Sequence, residues 1–406
     1  MRAHNIAMWS LIAAAALPAC KWTEFDDLEK QAWVQSTGKP GGVKSNDYGI
    51  AIARAAKSST DGGRLVVIGT NNATYSELVY SAEGDSSFPA TQLDLQVQYG
   101  IANLAAQPIL IADPTSDDVS LLVGSDNGIA MVSGSQGALK LYQFFNLAAP
   151  DAATYMTPAS KGTSLPIVAV GDTVYGGFLP ALAANMAQPS CKLLDTASAD
   201  FAGKIHALGA VAQGASDALL AWDGGGKLYK YPTTVFDGCG AGIQPTASVA
   251  TGFQPGAGSR IIPIDATHVV LQGQNANTGF LVEVDTAAMA LVGSGVSVPS
   301  LASAALLSIG ASNYIVAGEP TASVSGTAAG QVELYPLTAA GVGATAVDNL
   351  HDAQPDGGQA FGRSVAVMSF NSKPVLAVGA SNEIFVYFRA NLGDGTALYD
   401  ETRQGQ

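Results

Sequence analysis

Apolar residues along this chain come in short runs, roughly four to eight residues long, divided by clusters of Gly, Asn, Asp, Ser and Pro. Runs of that length with such punctuation predict strands rather than helices. They also recur as a unit: an aromatic-glycine pair, an apolar run, a polar turn, and a second apolar run that ends in glycine. "YGIAIARAAKSSTDGGRLVVIGT" begins at Tyr48, "YGIANLAAQPILIADPTSDDVSLLVGS" at Tyr99 and "FGRSVAVMSFNSKPVLAVGA" at Phe361. Fainter copies lie between them: "SLPIVAVGD", "KIHALGAVAQGASDALLAWD", "SRIIPIDATHVVLQGQ" and "LASAALLSIGASNYIVAGE".

The second runs end at residues 69, 124, 171, 223, 273, 318 and 379, which is seven units at intervals of 45 to 61 residues. One or two further apolar stretches follow each end point, such as "GIAMVSG" after Gly124 and "GQVELYPLT" after Gly318. Each unit therefore predicts about four strands. The middle runs, "LVVIG" and "LLVG", are continuously apolar, as strands covered on both faces are. A period of roughly 50 residues with four strands per unit is that of propeller blades. One such sheet leaves both faces bare, whereas several around an axis cover one another and keep only short edges. The expected fold is all-β, a seven-bladed β-propeller over residues 47–390. A solenoid stack is the rival, and nothing in the pattern requires it. Two chain-end segments can supply the closing strand: "AWVQ" (32–35) and "TALYDE" (396–401), the latter within a C-terminal tail of 391–406.

Composition narrows the function classes. Hydrophobic residues make up 48% and charged residues 13%, so the chain folds rather than staying disordered. The formal charge is −14 and no basic cluster occurs, which argues against nucleic acid as a partner.

The N-terminus departs from the repeat. "MRAHNIAMWSLIAAAALPAC" has a charged start, about a dozen apolar residues and a small-residue end, the layout of a secretory signal peptide over 1–19. It is too short to span a bilayer as a helix. Leu17-Pro18-Ala19-Cys20 resembles a bacterial lipobox, which implies acylation of Cys20. Ordinary signal cleavage is the alternative. Lys21 rather than Asp after the cysteine leans the anchor toward the outer membrane, so the expected place is the cell envelope, with the membrane as one partner. Residues 20–46 read as a charged tether. Phe25, Leu28 and Ala32 have helical spacing over about 24–33, and "STGKPGG" ends any helix.

The unit "FGRSVAVMSFNSKPVLAVGA", with its variants at Tyr48-Gly49 and Tyr99-Gly100, resembles the FG-GAP repeat of integrin α-chain propellers. That resemblance implies an adhesion role. It also implies calcium in an Asp- and Asn-rich loop between the two runs. In the second unit Asp113, Asp117 and Asp118 are the candidate ligands, at a spacing that does not repeat the family's pattern. Asn371 and Lys373 in the last unit, and Asp61 alone in the first, fall short of the six to eight oxygens calcium takes. No other cofactor is expected.

Candidate chemistry is sparse. His206 and His268 lie in apolar runs, His351 precedes Asp352, and no spacing suits a zinc site. "WDGGGK" (222–227) and "GDGT" (393–396) read as turns without a following helix, unlike a phosphate cradle. Cys191 and Cys239 lie 48 residues apart, about one unit, at a similar phase. They read equally as a bridge between neighbouring blades, permitted by an exported compartment, or as two buried thiols. No catalytic residue stands out. The leading reading is a non-catalytic binding, adhesion or scaffold module on a lipid anchor, with a protein or glycan partner in the envelope. The alternative is a secreted propeller lyase or hydrolase acting on glycans or lipids. Segments 183–201, 319–330 and 341–361, where the pattern stretches, are the candidate contact loops. Convergence of His351, Asp352 and Asp356 in a pocket would favour the enzyme.

Overall fold

The turn at Gly171-Asp172 shows how a unit folds. The run Leu165–Val170 pairs antiparallel with Ala152–Met156 before it and with Thr173–Gly176 after it, and Cys191–Leu194 forms the outer edge. Val168 and Ile167 are buried on opposite faces, against different core clusters. A continuously apolar strand needs that two-sided burial. The computed structural model describes most of residues 150–388, apart from short gaps of which 177–185 is the longest, and strand segments between 33 and 145. Among the described residues there is no α-helix, only a 3-10 turn at Thr233–Phe236.

Among the described residues, seven sheets of four or five strands follow one another along the chain, here numbered I to VII. Their first strands are Ala51–Arg54, Leu110–Ala112, Ala152–Met156, Ile205–Gln213, Arg260–Pro263, Ser303–Ile309 and Ser364–Phe370. Each first strand touches the first strand of the next sheet, and that of sheet VII touches that of sheet I. The described sheets thus close into a ring. Their second strands end at or beside each of the seven positions named above, from Gly69 to Gly379. The outer strand of sheet VII comes from the other end of the chain. Trp33–Gly38 pairs antiparallel with Glu383–Phe388, from Trp33 opposite Phe388 to Gly38 opposite Glu383. Trp33 therefore starts a strand rather than ending a helix. Residues 24–32 and 396–401 lie outside the described residues.

The core lies between sheets. Sheets III and IV share a cluster containing Leu193, Leu219, Tyr229 and Tyr231. Sheets IV and V share Trp222 and Phe280, whose rings meet edge-on at 5.8 Å. Sheets V and VI pack Val270 and Leu281 on Ile315 and Ala317. Sheets VI and VII enclose Val316, Leu334, Phe361 and Phe385.

The aromatic-glycine pair has a specific task in this packing. Phe361 is fully buried and meets Phe385 edge-on at 5.1 Å. Gly362 follows with φ +86°, a conformation that side chains with a Cβ avoid. This turn carries its carbonyl onto the neighbouring sheet. It accepts a hydrogen bond from Ser303 Oγ at 3.0 Å, and a Cβ on Gly318 would lie 1.9 Å from it. The same device joins the last sheet to the first. Gly49, at φ +89°, accepts from Ser364 Oγ at 2.6 Å, and a Cβ on Gly379 would lie 2.1 Å from its carbonyl. The glycine opening one unit and the glycine ending the second run of the preceding unit are thus two halves of one close backbone contact.

Candidate functional site

Several acids in this fold hold backbone. Asp223, fully buried at the end of a second strand, accepts from Ala202 N (2.8 Å), Lys227 N (2.9 Å) and the Tyr229 hydroxyl (3.3 Å). It ties the turn "DGGGK" to the connection entering sheet IV. Burial, with the charge and hydrogen bond of Asp223, pushes the Tyr229 hydroxyl up to about 12. Asp151 accepts from Gly171 N and pairs with Lys204 at 2.9 Å. Lys204 also lines an open cleft of about 320 Å³ with Gly171, Asp172, Phe201 and Gly203. Asp265 accepts from Thr267 N and His268 N. Burial would raise the Asp265 carboxyl, but those hydrogen bonds hold it below its ordinary value.

One group of acids is different. Sheet VI makes its longest excursion, 320–330, between the second strand, Ser312–Glu319, and the third, Gln331–Thr338. Glu319 lies opposite Gln331, and Asn349 on the strand Asp348–Leu350 lies opposite Glu333. Side chains alternate across a strand, so Gln331, Glu333 and Tyr335 share one face, with Glu319 beside them. Gln331 Nε2 donates to Glu319 Oε1 at 3.1 Å and to Glu333 Oε1 at 3.4 Å. Asn349 Nδ2 donates to Gln331 Oε1 at 3.0 Å, which turns the Gln331 amide toward the carboxyls. The Tyr335 hydroxyl donates to Glu333 Oε2. Glu319 is only 2% exposed. Burial, aided by the charge of Glu333 and a hydrogen bond to it, pushes the Glu319 carboxyl up to about 7, although Gln331 opposes this. Burial and Glu333 push the Tyr335 hydroxyl up as well. Two acids are thus bridged by one amide, and burial beside a second acid disfavours ionisation of Glu319.

The excursion above this pair is built rather than loose. Ser323–Val324 and Thr327–Ala328 form a small hairpin, and Val324 and Ala329 are buried beneath it. The connection leaving sheet VI lies alongside: Gly358 N donates to Ala328 O at 3.1 Å and Phe361 N to Ala329 O at 2.8 Å. Ser381, in the turn of sheet VII, donates from its N to Gln359 O at 2.6 Å. Ser325 and Ala360 adopt positive φ, 50° and 54°, without being glycine. Together 320–330, 355–361 and Ser381 form a platform of three tied connections.

The other residues singled out by sequence do not converge here. His206 is on sheet IV and His268 on sheet V, while His351 follows sheet VI. The His351 ring meets the backbone carbonyl of Asp352 at 2.9 Å, and the Asp352 carboxylate accepts from Gln359. Asp356 is exposed on the platform. Segment 183–201 does not project as a loop throughout its length. Cys191–Leu194 is a buried strand of sheet III, and Met186–Ala187 pairs in parallel with the outer strand of sheet II. The apolar pattern falters there because the chain crosses from one sheet edge to another. Cys191 is disulfide-bonded. Cys239, Cys20, Asp113, Asp117 and Asp118 lie outside the described residues. Among the described residues no group of three or more His, Cys, Asp or Glu side chains is arranged to hold a metal. No helix there is long and apolar enough to cross a membrane. Sequence reading missed Glu319 and Glu333 because they stand 14 residues apart with a hairpin between them.

No family model matches the chain, and no curated protein does. A solved structure does: BBS1N, crystallised in complex with ARL6DN, aligns with a TM-score of 0.53 at 11% identity over 91% of this chain and 99% of that one. That domain is a β-propeller. This chain has the same fold class. At 11% identity the likeness concerns architecture alone.

Proposed function

We propose that this β-propeller is seven-bladed, each of sheets I to VII forming one blade, and of the FG-GAP kind. We further propose that it serves as a non-catalytic binding, adhesion or scaffold module displayed from a lipid anchor at Cys20 in a bacterial envelope. Its partner is an envelope protein or glycan. The observation that carries the reading is the platform of 320–330 and 355–361. Its exposed positions, Thr321, Ser323, Ser325, Gly326 and Asp356, sit on buried anchors and backbone hydrogen bonds. Recognition surfaces are commonly loops held by a rigid scaffold. The two non-glycine residues at positive φ add support. Such conformations cost about 1–3 kcal/mol each and cluster at functional sites.

A second reading, an envelope hydrolase or lyase, draws on the Glu319–Glu333 pair, since a carboxyl titrating near 7 suits general acid catalysis. The burial of Glu319 counts against it, because a catalytic acid must reach its substrate. The test replaces 321–329 with a two-residue turn in the full-length protein. The variant should keep the all-β fold by circular dichroism and lose the partner that the native protein enriches from its own envelope. Equal enrichment by both would overturn the binding reading. Turnover of an envelope glycan, abolished by Glu333→Gln, would establish the enzyme instead.

A further inference from the structure

We propose that Glu319 and Glu333 form a proton-operated latch beneath the platform: one shared proton holds the 320–330 excursion closed on sheet VI, and its loss releases it. The biological consequence rests on the platform being the recognition surface. The latch itself depends only on the fold.

Position is the first argument. Glu319 is the last residue before the excursion and Gln331 the first after it, and they face each other on one rung. Any force that spreads this rung moves both stems of the hairpin. Ala322 N donates to Glu319 O and Gly330 N to Ala322 O, so the stems hang directly from the rung. Gly362 packs on its other side, with its Cα so placed that a Cβ would come within 2.4 Å of Gln331 O and 3.0 Å of Glu319 N.

Hydrogen-bond accounting is the second. A single amide nitrogen, Gln331 Nε2, serves two carboxyl oxygens. Asn349 occupies the amide oxygen and fixes its direction. Tyr335 also donates to Glu333, while burial favours the protonated form of Glu319. If both ionise, two negative charges face each other across one amide, and Glu319 is only 2% exposed. The neighbouring elements carry Arg260 (sheet V, first strand), Glu283 (sheet V, third strand), Arg363 (before sheet VII), and His351, Asp352 and Asp356 (after sheet VI). Of the charged groups, Glu333 is the one that acts on Glu319. The ion pairs found among the described residues, Lys204–Asp151 and His268–Asp265, lie on other sheets.

The sign follows from linkage. The closed state holds its proton up to about pH 7, against 4.5 for an ordinary glutamate such as the open state would expose. Closing therefore takes up a proton. The closed-to-open ratio falls by up to tenfold per pH unit between those values and is constant on either side. Over the whole interval the fall is about 300-fold, which is ten raised to the difference.

The test is amide hydrogen exchange on the full chain at pH 5 and pH 8, corrected for intrinsic rates and referred to the amides of 314–317 in the same sheet. Protection of Ala322 and Gly330 should fall by about 70-fold between the two conditions. Glu319→Gln, which is neutral at every pH, should abolish that dependence and stay protected at pH 8. Tyr335→Phe removes the donor that favours charge on Glu333, so the midpoint should move to higher pH. It also serves if the Gln variant folds poorly. Unchanged protection at the two pH values, or the same dependence in Glu319→Gln, would overturn the latch. Exchange needs no partner: a latch seen in exchange with partner binding indifferent to pH would refute the recognition reading and leave the latch standing.

Discussion

The hydroxyl-to-carbonyl contacts at two sheet junctions allow a controlled test of ring closure. Ser303 and Ser364 make the same bond, to Gly362 O at 3.0 Å and to Gly49 O at 2.6 Å, and both serines are less than 5% exposed. They differ in topology. Gly362 is 59 residues from Ser303, whereas Gly49 is 315 residues from Ser364, so only the second contact joins the chain's first sheet to its last. Replacing either serine by alanine deletes one hydrogen bond and strands a buried carbonyl. The direct cost is about 1–3 kcal/mol in each case. Urea denaturation followed by circular dichroism should show that loss for both variants, with similar slopes. The difference should appear in local opening. Ser364→Ala should raise exchange in Ala51–Arg54 and Glu383–Phe388 more than in the middle sheets, because sheet VII is completed there by a strand from the other end of the chain, Trp33–Gly38, which is held to Glu383–Phe388 by strand pairing. Ser303→Ala should give no such pattern, since the chain itself bridges sheets VI and VII. A harsher probe is Gly379→Ala, whose Cβ would meet Gly49 O at 2.1 Å. If Ser364→Ala and Gly379→Ala are both neutral in urea and leave exchange at the seam unchanged, the closed ring described here is wrong.

Two further outcomes are expected. Asp223→Ala should cost about 3–5 kcal/mol in denaturant melts, because two backbone N–H groups and the Tyr229 hydroxyl lose a buried acceptor; Asp223→Asn should cost less. We propose Cys239 as the partner of disulfide-bonded Cys191. Peptide mapping without reductant should recover the two cysteines linked, and Cys191→Ser should lower stability by about 3–4 kcal/mol only in oxidised protein; recovery of Cys239 as a free thiol would refute the pairing.

What the sequence determined by itself was periodic. Strand positions follow from apolar runs and their punctuation, which are local. The seven run ends from 69 to 379 therefore mark second strands, and turns such as "WDGGGK" read directly. The aromatic-glycine pairs also announced themselves, because a positive φ leaves glycine as the natural residue. Their purpose could not be read. Gly362 is required by Gly318 and Ser303 on another sheet, and Gly49 by Gly379 and Ser364 at the far end of the chain. Only the tertiary structure decided that Trp33–Gly38, rather than the C-terminal segment, pairs with Glu383–Phe388. Both ends carried strand-like patterns, and edge pairing depends on which one the closed ring brings alongside. Only it brought Glu319 to Glu333. The sequence between them is the small, uncharged "PTASVSGTAAGQV", with no trace of acid chemistry. Strand register, rather than spacing, set the two carboxyls on one face. Burial, a property of the surrounding sheets, then made one of them hold its proton.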